Sequence, residues 1–284
     1  MDYTSEVAVG LARNPREALA NALKKLSSPL PLSGTVKHIV IKPSIYDPAS
    51  LGNTTWELTR ALVRTFRSAA DVLVVESDNP VRTAEEAFQR FGYPEHLEDL
   101  QVQLVNLSAL PRKTISAPGH AFSEYSLPAI LFDDAILINA PTLKPDPRVV
   151  VGGAVKNLFG LLPEANKTVY HERLTDVLLD LLSIVRPHLT VMDLTDVVVD
   201  AQGRMVAHRV GGLLVSTDPV AVDSIAAALL DINPLNIDLF RRAHNLGLGE
   251  ALPDRIRIVG TEHQRHRIQS GMATVAAEFH LGLD

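Results

Sequence analysis

Short runs of β-branched and aliphatic residues recur along this chain, and each closes on a polar residue or a turn. They are HIVIK from His38, VLVVE from Val72, VQLVN from Val102, AILIN from Ala135, LTVMD from Leu189, GLLVS from Gly212 and RIRIV ending at Val259. Runs that are apolar throughout, without alternation, describe strands buried on both faces, as in parallel sheets covered by helices. The stretches between them carry helix starts: Asn14-Pro15, Thr54 or Thr55 before WELTRALVRTF, Thr83 with Glu86 three residues on, and Asp218-Pro219. After His171, the stripe Leu174, Val177, Leu178, Leu181, Leu182 and Val185 predicts a helix laid on the sheet. The expected fold is therefore α/β, with a mostly parallel or mixed sheet and helices on both faces.

The 284 residues contain no low-complexity linker and no repeat of 20–50 residues, so one main domain over 1–284 is expected, with a C-terminal appendage from about 260. Segment 107–129, with Pro111, Pro118, Gly119 and Pro128, reads as a surface excursion, its alternative being a flap over a site. No apolar run approaches the roughly 18 residues of a membrane span, and an acid at position 2 precedes no apolar stretch, so a cytoplasmic protein is expected. A formal net charge of −6 disfavours a nucleic-acid backbone binder. With no cysteine the chain cannot hold an iron–sulfur cluster of its own, and any metal would need His, Asp or Glu.

In parallel sheets ligands bind beyond the carboxyl ends of the strands, so the polar residues that follow the apolar runs are the candidates. Lys42 and Lys144 are each held by a following proline, and Lys156 stands among Val155, Leu158 and Phe159. Three such lysines would form an anion cradle, the alternative being structural ion pairs with neighbouring acids. Gly152-Gly153 leads into AVKNLFG, which suggests a backbone that a ligand can approach and a helix start with free N–H groups, Asn157 orienting the ligand. Glu76, Asp193 and His171 are the candidates for proton transfer. Asp78, Asp218 and Asp223 are weaker candidates for a divalent cation, Asp218 reading equally as a helix cap. Phosphate-loop, dinucleotide, nucleophile-elbow and zincin signatures are absent.

The strings IKPS from Ile41, TTWELTRALV from Thr54, VVESDNP from Val74, LINAPTLK from Leu137, GGAVKNLFGLLP from Gly152, YH at Tyr170, LTVMD from Leu189 and VSTDPVAVD from Val215 resemble, in order, the domain of unknown function 362 family. The resemblance covers roughly residues 37–250. Members of that family are often fused to ferredoxin-like modules, which implies a setting in redox or anaerobic metabolism and a redox-protein partner for a chain without its own cluster. The chain departs from the family pattern at DLTDVVVDAQGRM from Asp193, where a glycine-rich loop is usual. It departs again at TTWE, where a proline commonly follows the threonines, and at Ser44, where Asn is usual.

The expectation is a pocket for a small phosphate- or carboxylate-bearing molecule at the strand ends, with no nucleic-acid or membrane partner and with self-association left open. The alternatives are a non-catalytic accessory protein for a redox or metal centre, and a divalent-metal protein built on the clustered acids.

Overall fold

The computed structural model describes residues 3–28, 30, 32, 35–46, 51–200 and 204–281. Its strands are β1 (Ser5–Gly10), β2 (His38–Pro43), β3 (Asp71–Glu76), β4 (Gln103–Asn106), β5 (Arg112–Ser116), β6 (Glu124–Pro128), β7 (Ala135–Ala140), β8 (Lys144–Asp146), β9 (Val150–Gly152), β10 (Leu189–Asp193), β11 (Val197–Asp200), β12 (Met205–His208), β13 (Leu213–Ser216) and β14 (Ile256–Val259). The helices are α1 (Pro15–Leu23), α2 (Trp56–Phe66), α3 (Ala84–Arg90), α4 (Tyr93–Leu97), α5 (Ala154–Asn157), α6 (Thr168–His171), α7 (Leu174–Ile184), α8 (Pro219–Leu229), α9 (Asp238–Asn245) and α10 (Glu262–Leu281).

Eight strands form one sheet in the order β14-β1-β13-β10-β7-β2-β3-β4. All seven runs read from the sequence lie in it, joined by β1, whose pairing with β13 and β14 is set by distant segments. Neighbours pair in parallel except around β13, which runs antiparallel to both β10 and β1. The sheet is thus mixed, with a single reversed strand. Its side chains alternate between two cores. Ile39 and Ile41 pack with Leu19, Leu58, Leu62 and Phe66 under α1 and α2, while Val40 faces the opposite core with Leu178, Val222 and Phe240 from α7, α8 and α9. Helices cover both faces, the three-layer solution for strands apolar on both sides.

The helix starts are as read. Asn14, Thr55 and Asp218 cap α1, α2 and α8, and Thr83 with Glu86 closes a capping box on α3. The tail from 260 forms α10, whose Ile268, Met272, Val275 and Phe279 are buried in the same core as α8. It is part of the main body and does not hang from it. Segment 107–129 is chiefly the β5–β6 hairpin, with Tyr125 and Leu127 buried. The buried Asp180 of α7 anchors it, accepting the backbone N–H groups of His120, Ala121 and Phe122 at 2.9, 2.8 and 3.1 Å and the Tyr125 hydroxyl at 3.0 Å. So fastened, the hairpin supplies no residue to the cavity described below.

Among the described residues, no helix is long and apolar enough to cross a membrane.

Candidate functional site

The carboxyl ends of β2, β3 and β7 open into a cavity of about 540 Å³. Lys42 comes from the end of β2, in register with Asn139 of β7. Only 2% exposed, it donates to Glu76 Oε2 at 3.0 Å and to its neighbour's carbonyl, Pro43 O, at 2.6 Å. Burial pulls this ammonium below the ordinary lysine range, and the Glu76 carboxylate opposes the shift. Gly160 makes room for it, because a Cβ there would stand 2.7 Å from Lys42 Cε and 2.9 Å from Nζ. Asn157 ties the strand ends together, donating to Lys42 O at 3.2 Å and to Asn139 Oδ1 at 2.8 Å.

The β8–β9 hairpin that follows β7 forms a second wall. Among the described residues Lys144 reaches only neutral oxygens, Ser44 Oγ at 3.1 Å and Gly52 O at 3.2 Å. Desolvation, reinforced by Lys156 and Lys42, pulls it down to about 8. Val150 sits near the tip of this hairpin at φ 66°, with the Val151 N–H donating to Val149 O at 2.7 Å. For a β-branched residue that backbone is strained, and the strain lies within two residues of both Arg148 and Gly152 on the cavity wall. Lys156, on the short α5, lies 3.5 Å from Asp146 Oδ2 and 5.3 Å from the centre of the Phe159 ring.

A further lysine closes the cavity from the loop before α6. Lys167 is 7% exposed and donates to Ser77 Oγ at 2.9 Å and Asp78 O at 2.8 Å, again neutral oxygens. Burial pulls it down to about 8 as well. His171 follows on α6, its ring stacked on Phe159 with centroids 4.9 Å apart. Desolvation first, then Arg148 and Lys156, lowers its pKa, so at neutral pH the ring is an uncharged donor and acceptor beside the lysines. In all, six cationic side chains (Lys42, Arg82, Lys144, Arg148, Lys156, Lys167) face two carboxylates, Glu76 and Asp146, in a chain whose net charge is −6. Arg82 is committed to the loop, bonding the carbonyls of Ile45, Tyr46 and Thr83.

The remaining predicted acids stand elsewhere, each for a physical reason. Because β13 runs in reverse, Asp218 at its end emerges at the opposite edge of the sheet, where it accepts the N–H groups of Val220, Ala221 and Glu250. Asp223 lies on α8 with no exposure and accepts the N–H groups of Ala154 and Val155 at 2.5 and 2.9 Å. It therefore caps α5 from another helix. The acceptor at that helix start is the protein's own carboxyl, which burial pushes up to about 7 against the two N–H groups, and a Cβ on Gly153 would stand 2.1 Å from its Oδ1. The glycine pair thus admits Asp223 as well as lining the cavity. Asp193 does not line the cavity: its Oδ2 takes the Thr55 N–H and hydroxyl at 3.0 and 2.6 Å, and its Oδ1 takes the Thr195 N–H at 2.9 Å. Asp78 is turned to the Ala84 N–H and the Asn106 amide. Among the described residues no three His, Asp or Glu side chains gather as a metal site.

A smaller cavity, of about 320 Å³, lies where the N-termini of α1 and α2 meet, and its wall includes Arg13, Glu57 and Arg209. The chain itself occupies both helix ends there, through Asn14 and Thr55.

Residues 39–228 match the model of the family described as domain of unknown function (DUF362). The chain belongs to this family. A curated relative, the thylakoid-associated protein sll1697 of Synechocystis sp. (strain ATCC 27184 / PCC 6803 / Kazusa), is 24% identical over 249 residues, covering 81% of this chain and 76% of its own. All six cavity cations of this DUF362 protein lie inside the matched segment.

Of the sequence candidates, the structure brings Lys42, Glu76, Lys144, Gly152, Gly153, Lys156, Asn157 and His171 to one cavity and leaves Asp78, Asp193, Asp218 and Asp223 outside its wall. Lys167, Arg82 and Arg148 were not read as candidates. Lys167 sits in the polar loop PEANKT, where a lysine carries no local sign of burial. The one available signal was its place between two predicted site segments, GGAVKNLFG and Tyr170-His171.

Proposed function

We propose that this DUF362 protein binds a small anionic molecule, bearing phosphate or carboxylate, in the lysine-lined cavity. One observation carries the reading: among the described residues, Lys144 and Lys167 are held at the cavity with only neutral oxygens for partners and no carboxylate within ion-pair distance. Burying an ammonium without a counter-charge costs folding free energy, and an anionic ligand would offset that cost. The low-dielectric walls would also strengthen the attraction, which water weakens at an open surface. Within this reading His171, uncharged beside the lysines, and Glu76, bonded to Lys42, are the groups that could hold or move a proton against a bound ligand.

The test is a thermal-shift and calorimetric screen of the purified protein against inorganic phosphate, diphosphate, phosphorylated metabolites and polycarboxylates. A ligand at 100 times its Kd adds about 2.7 kcal/mol, which raises Tm by about 5 °C in a chain of this size. Binding should vanish in Lys144→Met and weaken about tenfold in Lys156→Ala, each still folded by circular dichroism. A panel without one hit, or a hit unchanged in Lys144→Met, overturns the proposal.

A further inference from the structure

Buried Lys42 and Lys167 line the cavity from within, whereas its exposed lining, besides Arg148, is largely apolar. Among the described residues, eight large hydrophobic side chains stand well exposed, and three of them, Tyr46, Leu51 and Met205, line this one cavity. Two more, Val81 and Val169, each follow a lining residue, Pro80 and Thr168, in the chain. These five are 42–74% exposed. Exposed hydrophobic side chains scattered singly need no explanation, but several around one opening mark a surface that something covers. The cavity's size points the same way. At about 540 Å³ it lies within the range of roughly 300–1,000 Å³ found for pockets that enclose whole organic ligands, far beyond what one phosphate or carboxylate group fills. Buried Ile45 and Phe159 carry the apolar lining inward from this rim towards the lysines.

We infer that the ligand is an amphiphile: an anionic phosphate or carboxylate head carried on an apolar body. The head sits among Lys42, Lys144 and Lys167, and the body crosses Phe159 and Ile45 to cover the rim at Tyr46, Leu51 and Met205. This rests on the anion-binding reading and names the class of molecule that would satisfy both halves of the cavity. A purely polar anion would leave the rim in water, and an uncharged apolar molecule would leave the lysines without a counter-charge.

Monomeric n-alkyl phosphates test it, titrated by calorimetry from ethyl to octyl below their micelle concentrations, with inorganic phosphate as the chain-free reference. Affinity should rise about two- to fourfold per methylene until the rim is covered. The rise should flatten in Tyr46→Ser/Leu51→Ser/Met205→Ser, changes at exposed positions, with the phosphate reference unchanged. All binding should be lost in Lys144→Met. Phosphate binding with no dependence on chain length would overturn the amphiphile while leaving the anion site standing, whereas silence from phosphate and every alkyl phosphate would remove both. Equal binding of alkyl trimethylammonium ions, or binding only to vesicles of phosphatidic acid in phosphatidylcholine, would also overturn it, in favour of unspecific adhesion or of a membrane surface respectively.

Discussion

Lys144 at the start of β8 and Lys167 before α6, like the aspartates around β10 and α8, are charges drawn out of open solvent, yet the chain treats the two sets oppositely. Asp193, Asp218 and Asp223 each accept backbone N–H groups that fasten helix starts and loops, although burial still raises Asp218 and pushes Asp223 up to about 7. Among the described residues, Lys144 and Lys167 bond only hydroxyl and carbonyl oxygens, and both face a cavity. Burial alone therefore does not mark a functional residue. What separates the two regions is whether the protein has already supplied the opposite charge or its dipolar equivalent.

The sharpest way to break that comparison is at Asp223. In Asp223→Ala the N–H groups of Ala154 and Val155 lose their acceptor inside the core, at about 1–3 kcal/mol for each buried orphan. A loss of about 3 kcal/mol in urea unfolding is expected. Gly153→Ala should cost a comparable amount by pushing Asp223 off the helix, and the two changes together should cost less than their sum, because both break one contact. Full additivity would show that Asp223 is not the cap of α5.

On the lysine side the sign should reverse. Lys144→Met removes a desolvated charge that, among the described residues, no carboxylate approaches within ion-pair distance, and Gly52 O keeps the Thr142 hydroxyl as a donor at 2.6 Å. Replacement of such a charge by an apolar side chain of similar length should stabilise the ligand-free protein by about 1 kcal/mol. The same variant should bind no anion. A variant less stable than the parent would mean that Lys144 holds the hairpin to the Ser44 loop and is structural.

These opposite roles were only partly legible in the amino-acid order. Strands buried on both faces announce themselves as unbroken runs, and Asn14, Thr55, Thr83 and Asp218 announce helix starts through local chemistry, so the layers and most of the sheet could be read. β1 could not, since VAVG is too short to stand out and becomes a strand only between β13 and β14. The direction of β13 was equally hidden, being set by the connections either side of it. That one reversal carries Asp218 to the far edge of the sheet. Lys42 and Lys144 were visible because prolines pin them, whereas Lys167 becomes a site residue only when the fold buries a polar loop against Ser77. Sequence reading found charges near strand ends, and only geometry could tell the satisfied ones from the open ones.

The most discriminating effect expected follows the lysines through their own titration. Lys144 and Lys167 are both pulled down to about 8 from an ordinary value of 10.5. A base weakened by folding is more readily deprotonated in the native state, so between about pH 8 and 10.5 the unfolded chain binds more protons and ligand-free stability should rise with pH. Anion affinity must move the other way. It should hold below pH 8, where both ammonium groups are charged, and then fall by up to about tenfold per pH unit for each lysine the ligand needs, or about 1.4 kcal/mol. Surface lysines near 10.5 would keep an unspecific anion bound well past pH 9. Calorimetric titration with citrate, a polycarboxylate fully ionised above about pH 7.5, from pH 7.5 to 9.5 separates the two cases. Affinity that stays level to pH 9.5 would place the anion on the surface and dissolve the contrast between open lysines and satisfied aspartates.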